Sequence, residues 1–85
     1  MRGAIEISMY PLNRDYIAPI KAFIARLNGH ADLQVETSAT STRVWGDYDR
    51  VMAAVTAEMR ELHANSPDTV VFVLKVFCAR QPDPA

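Results

Sequence analysis

The side chains in this sequence that most readily bind metals or act as nucleophiles are few and widely spaced. His30, His63 and Cys78 are separated along the chain by distances that match no metal-ligand spacing. We therefore interpret both histidines as solvated surface residues and predict no metal site. The single cysteine can form no intrachain disulfide, and nothing indicates an oxidising compartment.

Two carboxylates could share one face of a β-sheet. Glu6 and Glu36 lie in alternating segments, and Arg43 and Lys75 are cations that could lie beside them. Such carboxylates can act as general acid and base, but ion pairs with the two cations are the simpler interpretation. The sequence has no nucleophile elbow, phosphate loop or dinucleotide fingerprint. We predict no catalytic residue, and we expect a protein that is not an enzyme and needs no cofactor.

Thr37 and Thr42 place hydroxyl groups where valine would pack better. One interpretation is that each hydroxyl bonds nearby backbone, which a β-branched threonine does readily. The alternative is that both hydroxyls line a pocket between sheet and helices and bind a small polar ligand.

The composition narrows the class of protein. The 85 residues suit a single domain near the lower size limit for an independent core, and 49% of them are apolar. The net charge is −1 with both signs interspersed, so we expect no nucleic-acid partner. No signal peptide or spanning segment is recognisable. The sequence therefore predicts a soluble, cytoplasmic domain without membrane contact.

The apolar pattern predicts six elements in the order β-α-β-β-α-β. Alternation or continuous apolar sequence predicts strands at residues 3–10, 33–38, 42–46 and 69–77. Steps of three and four residues predict a helix over residues 14–28 and a second helix after residue 47. Their apolar stripes are Ile17, Ile20, Ile24 and Leu27, and Val51, Val55, Met59 and Leu62.

Capping signals place the helix ends. We expect Asp15 to accept from the first turn of helix one and Pro19 to lie in or near that turn. Asn28-Gly29 is expected to stop the helix, with the glycine available for a left-handed cap. Asp47 is expected to cap helix two.

This order predicts an α+β fold, the ferredoxin-like βαββαβ sandwich, with a four-stranded antiparallel sheet and two helices on one face. Strands one and three would be central neighbours, and the last strand would flank the first. We expect one domain over residues 1–79 and a frayed tail over residues 80–85.

Alternation divides the strand residues between two faces. The helix side is predicted to carry Ile5, Ile7, Met9, Leu33, Val35, Thr37, Thr42, Val44, Val70, Phe72, Leu74 and Val76. The other face would carry Glu6, Ser8, Tyr10, Gln34, Glu36, Ser38, Arg43, Trp45, Val71, Val73, Lys75 and Phe77. Because this second set mixes large apolar and charged groups, we expect a homo-oligomer, a dimer or tetramer, joined through that face. The last strand would then be covered on both sides.

Two segments resemble a known family. Residues 6–24 and 35–55 look like the thiamine/hydroxymethylpyrimidine-binding family (YkoF-like), through "SMYPL" at residues 8–12 and through Ser41-Thr42 followed by Gly46-Asp47. The chain departs from the family pattern at residues 38–40, where Ser-Ala-Thr replaces Gly-x-Met.

The resemblance implies a ferredoxin-like domain that binds thiamine or its hydroxymethylpyrimidine moiety without chemistry, in tandem or as a homo-oligomer. It implies a pocket bordered by Met9, Tyr10 and Thr42, with Asn13 and Ser41 nearby. An aminopyrimidine could be met by a backbone group and the Thr42 hydroxyl. The cationic thiazolium could meet an aromatic face or a carboxylate, for which the candidates are Tyr10, Tyr16, Trp45 and Glu36.

Two other functions stay open. A dimeric ferredoxin-like monooxygenase would use a buried His or an Asn–Trp cluster, of which Asn13 and Trp45 are fragments. An oligomerisation or regulatory domain without a ligand would need only the mixed sheet face.

Overall fold

The six elements follow one another in the predicted order. The computed structural model describes residues 1–79. The elements are β1 (Arg2–Pro11), α1 (Ile17–Asn28), β2 (Gln34–Thr37), β3 (Thr42–Asp47), α2 (Tyr48–Asn65) and β4 (Val70–Ala79). The predicted frayed tail, residues 80–85, lies outside the described residues. Neither helix in the described part is long and apolar enough to cross a membrane.

The strands form one antiparallel sheet in the order β2-β3-β1-β4. Ile5 at the middle of β1 is paired with Val44 of β3 on one side and Val76 of β4 on the other. The first and third strands are therefore central neighbours, and the last strand flanks the first. This arrangement is the predicted ferredoxin-like sandwich.

The core lies between the sheet and both helices. Its fully buried side chains are Ile5, Ile7, Phe23, Leu27, Val44, Val51 and Val55. The ring centroids of Phe23 and Phe72 lie 5.0 Å apart, so α1 contacts β4 as well as the central strands. Phe23 was absent from the predicted stripe, whereas Ile17 of that stripe is exposed. The buried face of α1 is therefore rotated toward Phe23.

Helix α1 begins later than predicted. Asn13 Oδ1 accepts a hydrogen bond of 2.9 Å from the Asp15 N–H, which holds the chain in a side-chain-closed turn before the helix. Asp15 is therefore not the predicted cap; the cap position falls on Tyr16, which makes no capping side-chain bond. Pro19 lies in the first turn, as expected.

Helix α1 stops at Asn28-Gly29 as predicted, but without the left-handed cap for which the glycine was available. Gly29 has φ −72° and ψ −13°, a right-handed conformation. The N–H groups of Gly29 and His30 donate to the carbonyls of Arg26 and Leu27, each at 3.1 Å. The helix therefore ends in a tightened 3₁₀-type turn that satisfies those carbonyls without a left-handed residue.

Helix α2 is capped as predicted, since Asp47 Oδ2 accepts from the Arg50 N–H at 3.2 Å. Strand β4, in contrast, is not covered on both sides within one chain. Val71, Val73 and Phe77 are 43%, 50% and 45% exposed on the face that the helices leave open. Val76, which was assigned to the helix side, is 44% exposed, because β4 is an edge strand.

Candidate ligand-binding cleft

A cleft of about 480 Å³ opens between the end of β1, helix α1 and the turn that joins β2 to β3. Its volume falls within the usual range for small-molecule sites. Strand β1 leads the chain to this point and Pro11 is its last residue, while the Leu12 N–H donates to the Thr69 carbonyl at 2.9 Å. The cleft therefore lies where the central strand, the first helix and the hairpin diverge.

One wall of the cleft is apolar. Its members are Ile7, Met9, Tyr10, Pro11, Leu12, Tyr16, Ile20, Phe23 and Ile24. Ile20 and Ile24 lie one helical turn apart and are half-buried, because they face the cleft rather than packed side chains. Tyr10 and Tyr16 are each 53% exposed, so both aromatic rings lie at its mouth.

The opposite wall carries hydroxyl groups from the hairpin. They belong to Thr37, Ser38, Thr40, Ser41 and Thr42. Thr37 Oγ1 and Thr42 Oγ1 lie 3.5 Å apart, a weak contact, and the described residues offer neither hydroxyl a closer partner. This geometry favours the pocket-lining interpretation of the two threonines over backbone bonding. Both hydroxyls retain capacity to donate to and accept from a ligand.

Ser38 builds the turn that carries the hydroxyl wall. Its N–H donates to the Ser41 carbonyl at 2.8 Å, and its Oγ accepts from the N–H groups of Ser41 at 3.3 Å and Thr40 at 3.4 Å. A serine side chain thus closes the turn by local hydrogen bonds. The segment in which this chain departs from the Gly-x-Met pattern is therefore ordered by its own serine.

The cleft contains all of the predicted ligand-binding residues except Asn13. Met9, Tyr10, Thr37, Ser41 and Thr42 all line it. The Asn13 side chain instead donates to Asp68 and accepts from the Asp15 backbone, which ties the β1–α1 connection to the β4 side of the molecule.

Two further candidates lie elsewhere. Trp45 and Glu36 alternate with the helix-side residues Val44 and Val35, so both lie on the open face of the sheet. Asn13 and Trp45, the fragments of a monooxygenase-type cluster, are not brought together.

Sequence reasoning missed most of the apolar wall. Leu12, Ile20, Phe23 and Ile24 were assigned to a turn or a helix stripe, or left unassigned, although they line the cleft. The available signal was the number of apolar residues on α1, which exceeds what one buried face needs. From this wall only Met9, Tyr10 and Tyr16 were named from the sequence as candidates for the pocket.

The charged residues near the hairpin lie on the other side of the sheet. A second cavity of about 270 Å³ is lined by Glu6, Glu36 and Arg43 together with the turn hydroxyls. Arg43 Nε donates to Glu6 Oε2 at 3.0 Å, and Lys75 Nζ lies 3.7 Å from Glu6 Oε1. This confirms ion pairing for Glu6. The lining of the main cleft includes no ionised side chain.

Neither histidine reaches the cleft. His30, predicted to be solvated, is half-buried, and its Nε2 lies 2.8 Å from Glu58 Oε2. His63 is exposed, and its Nε2 lies 3.0 Å from the Val70 carbonyl while its ring packs edge-on against Phe72. Within residues 1–79 no cluster of His, Cys, Asp and Glu could hold a metal ion.

Glu58 is the one acidic side chain that the described core buries. Its Oε1 accepts from Arg26 Nε at 2.6 Å, so Arg26 lies on one side of the carboxylate and the His30 ring on the other. The hydrogen bond with His30 lowers the pKa of Glu58, burial opposes that effect, and Arg26 adds to the lowering. The contact joins the end of α1 to the middle of α2.

Comparison with known proteins gives a family and several similar structures. The model of the YKOF-related family matches residues 3–79. A Thermotoga maritima protein, provisionally named as a thiamine biosynthesis/salvage protein, superposes with a TM-score of 0.78 at 19% identity, over 89% of this chain and 82% of the other. No curated protein matches the sequence.

Two other solved structures are similar. A hypothetical protein of Methanocaldococcus jannascii has a TM-score of 0.76 at 26% identity, over 99% of this chain and 84% of its own. A Streptococcus pneumoniae protein has a TM-score of 0.83 at 20% identity, over 94% and 89% of the two chains. These likenesses independently support the ferredoxin-like fold.

Proposed function

Because the chain belongs to the YKOF-related family, whose model spans residues 3–79, we propose that it is a non-enzymatic binding protein for thiamine or its hydroxymethylpyrimidine moiety. The cleft between α1, the end of β1 and the β2–β3 turn is the proposed site. The provisional name of the Thermotoga maritima protein is consistent with this ligand class.

The observation that carries the proposal is the two-sided lining of the cleft. Ile20, Phe23 and Tyr16 offer apolar and aromatic surface on one side, and Thr37 and Thr42 offer hydroxyls on the other. An aminopyrimidine is a flat ring with a nitrogen acceptor beside an amine donor. A hydroxyl can donate to the first and accept from the second, while the ring faces pack against the apolar wall.

The absence of ionised side chains from this lining bears on which part of the ligand lies deepest. A neutral pyrimidine loses little when it leaves water, provided that its polar atoms are hydrogen-bonded. A cationic thiazolium would find no carboxylate inside, but Tyr10 and Tyr16 at the mouth offer it aromatic faces. In this proposal the pyrimidine lies against Thr42 and the thiazolium lies near the mouth.

The lining also supports binding rather than catalysis. Hydroxyl and apolar groups bind and orient a ring, whereas acid–base chemistry needs a group with a pKa near the working pH beside the substrate. The carboxylate of Glu58 and the imidazole of His30 do not line the cleft, and they are paired with each other at the far end of α1.

Replacement of one hydroxyl tests the proposal. Thr42→Val keeps the shape of a side chain that is 6% exposed but removes its hydrogen bond to the ligand. We expect affinity for thiamine and for hydroxymethylpyrimidine to fall by about ten- to a hundredfold, because a polar ligand atom is left unpaired. Isothermal titration calorimetry of both ligands measures the change.

Thr56→Val is the matched control, since Thr56 is exposed on α2 away from the cleft. It should bind as the wild type does, and circular dichroism should show both variants folded. No binding of either ligand to the wild type, or unchanged binding to folded Thr42→Val, would contradict the proposal.

A further inference from the structure

Ser38 lines the cleft, yet its hydroxyl is fully used by the turn in which it lies. Its Oγ accepts from the N–H groups of Thr40 and Ser41, at 3.4 and 3.3 Å, and donates to the Ser41 carbonyl at 3.2 Å. A hydroxyl group has one donor and two acceptor positions. All three are occupied, so Ser38 differs from Thr37 and Thr42, whose hydroxyls retain capacity for a ligand.

The residues on either side of Ser38 carry the hydroxyl wall of the cleft. Thr37 precedes it, and Thr40, Ser41 and Thr42 follow it in the chain. Thr37 and Thr42 are the last register partners of the β2–β3 hairpin, so the pairing of the two strands ends there. The hydroxyls of Thr40 and Ser41 are therefore placed by the turn rather than by the sheet.

The other restraints on this turn are few. The Ser38 N–H donates to the Ser41 carbonyl at 2.8 Å, which closes the turn at its base. Ser8 Oγ on β1 lies 3.5 Å from the Thr40 carbonyl, at the limit of a hydrogen bond. Ser38, Ala39 and Thr40 are all exposed, so burial restrains them little. The Ser38 hydroxyl is thus the principal restraint on the tip of the turn.

We infer that Ser38 is a positioning residue for the ligand, which orders the hydroxyl wall before the ligand arrives and does not bind the ligand itself. The inference rests on the proposed binding of thiamine or hydroxymethylpyrimidine in the cleft. Ordering backbone and side chains costs conformational entropy, and a wall that is already ordered avoids that cost on binding. Ser38 therefore raises affinity through the free protein rather than through a contact in the complex.

A direct contact between Ser38 and the ligand would have different consequences. Loss of such a contact would lower the favourable enthalpy of binding and leave the turn of the free protein as ordered as before. Loss of a positioning residue would leave the ligand's contacts in place, make the free turn mobile and worsen the entropy of binding. Thermodynamics and the mobility of the ligand-free protein together distinguish the two roles.

Ser38→Ala tests the inference. We expect its affinity for thiamine and hydroxymethylpyrimidine to fall about three- to tenfold, with the loss mainly in entropy, as measured by isothermal titration calorimetry. In the ligand-free variant the NMR order parameters of the Thr40 and Ser41 amides should fall into the flexible range, below about 0.6. The melting temperature should fall by less than about 4 °C, because the lost hydrogen bonds are exposed.

Two further variants serve as controls. Ser38→Thr keeps a hydroxyl at this position and should restore both the affinity and the order of the turn. Ser66→Ala is the matched control, because Ser66 closes another turn in the same manner. Its Oγ accepts from the Asp68 N–H at 3.2 Å and donates to the Asp68 carbonyl at 3.1 Å, outside the cleft. This variant should bind both ligands as the wild type does.

The inference and the proposed function fail in distinguishable ways. If the wild type binds neither ligand, the proposed function is wrong and Ser38 has no ligand to position. If the wild type binds and Ser38→Ala binds equally well, only the inference is wrong. Weaker binding by Ser38→Ala with an unchanged free turn would assign a direct contact instead. Failure of Ser38→Thr to restore binding, or equal weakening by Ser66→Ala, would also overturn the inference.

Discussion

Glu58 shows what permits an ionised side chain in the core of so small a domain. The carboxylate is 8% exposed, yet both oxygens have a partner, Arg26 on one and His30 on the other. A buried carboxylate without these bonds would be strongly destabilising. These two contacts join the end of α1 to the middle of α2, at a position where small domains usually pack apolar side chains.

This arrangement makes stability depend on pH in one direction. The pKa of Glu58 is lowered in the fold from its ordinary value of 4.5, so its contribution is present above that pH and is lost as pH falls through the lowered pKa. We expect Glu58→Gln to lose about 1 kcal/mol at neutral pH, a modest figure because half-exposed Arg26 is screened by water.

Urea unfolding of both proteins between neutral and acidic pH measures this difference, which should shrink toward zero below pH 4.5. Glu36→Gln, at an exposed position on β2 away from the Glu58 contact, is the control and should run parallel to the wild type. A difference that stays constant into acid would show that the charge of Glu58 contributes nothing.

At the scale of elements, the start of α2 depends on a pair of glycines. Gly3 and Gly46 are register partners on β1 and β3, and both are buried on the helix side. A Cβ at Gly3 would come within 2.7 Å of the Tyr48 ring and 3.1 Å of Tyr48 Cα. A Cβ at Gly46 would meet the end of the Leu33 side chain at 2.8 Å. Gly3 therefore lets Tyr48, the first residue of α2, lie directly against β1, and Gly46 makes room for the Leu33 side chain on β3.

The two glycines should therefore differ in tolerance. Gly3→Ala is expected to cost about 1–3 kcal/mol of unfolding free energy, because its main obstacle includes the backbone at the start of a helix. Gly46→Ala should cost less, since the end of Leu33 can rotate away. Chemical denaturation of both variants gives the comparison, and an equal or reversed order would contradict the argument.

At the scale of the whole molecule, the sheet separates two surfaces. The proposed ligand cleft lies on the helix side, and the contact between copies that the sequence predicts lies on the open face, the sheet face that the helices leave uncovered. Tyr10, at the end of β1, borders both. Lys75 lies on the open face and does not line the cleft. Assembly and ligand binding are therefore expected to be largely independent.

Lys75→Glu tests this independence. The variant reverses a charge on the open face and should still bind thiamine or hydroxymethylpyrimidine with an affinity within about twofold of the wild type, as measured by calorimetry. The control is Lys21→Glu at the same concentration. A loss of binding in Lys75→Glu alone would indicate that the partner completes the cleft.

The fold was predicted well from the sequence, because the spacing of apolar residues and the turn residues identify each helix and strand locally. Alternation around Ile5 and Val44, and the cap at Asp47, are local properties that tertiary contacts did not override. The end of α1 at Asn28 was predicted, but the left-handed cap did not form, because Gly29 permits that conformation without requiring it. The Arg26 and Leu27 carbonyls instead accept from the Gly29 and His30 N–H groups.

The candidate site was predicted only in part, for a different physical reason. The hydroxyls of Thr37 and Thr42 stand out in a strand pattern because they break it. Ile20 and Phe23 fit a helix pattern whether they face the core or a cavity, so periodicity cannot distinguish the two. Asn13 has a polar side chain beside the cleft, but its direction depends on Asp68, which is distant in sequence.

Helix α1 is held unevenly along its length. Its last turns contain buried Phe23 and Leu27 and the contact of Arg26 with Glu58, while its first turn has Ile17 at 52% exposure and no capping side chain. A segment with few buried contacts changes conformation at a lower free-energy cost than a buried one. Tyr16 lies beside this first turn and lines the cleft. We therefore expect the entrance of the cleft to adjust to a bound ligand more readily than its floor, where Phe23 is part of the packed core.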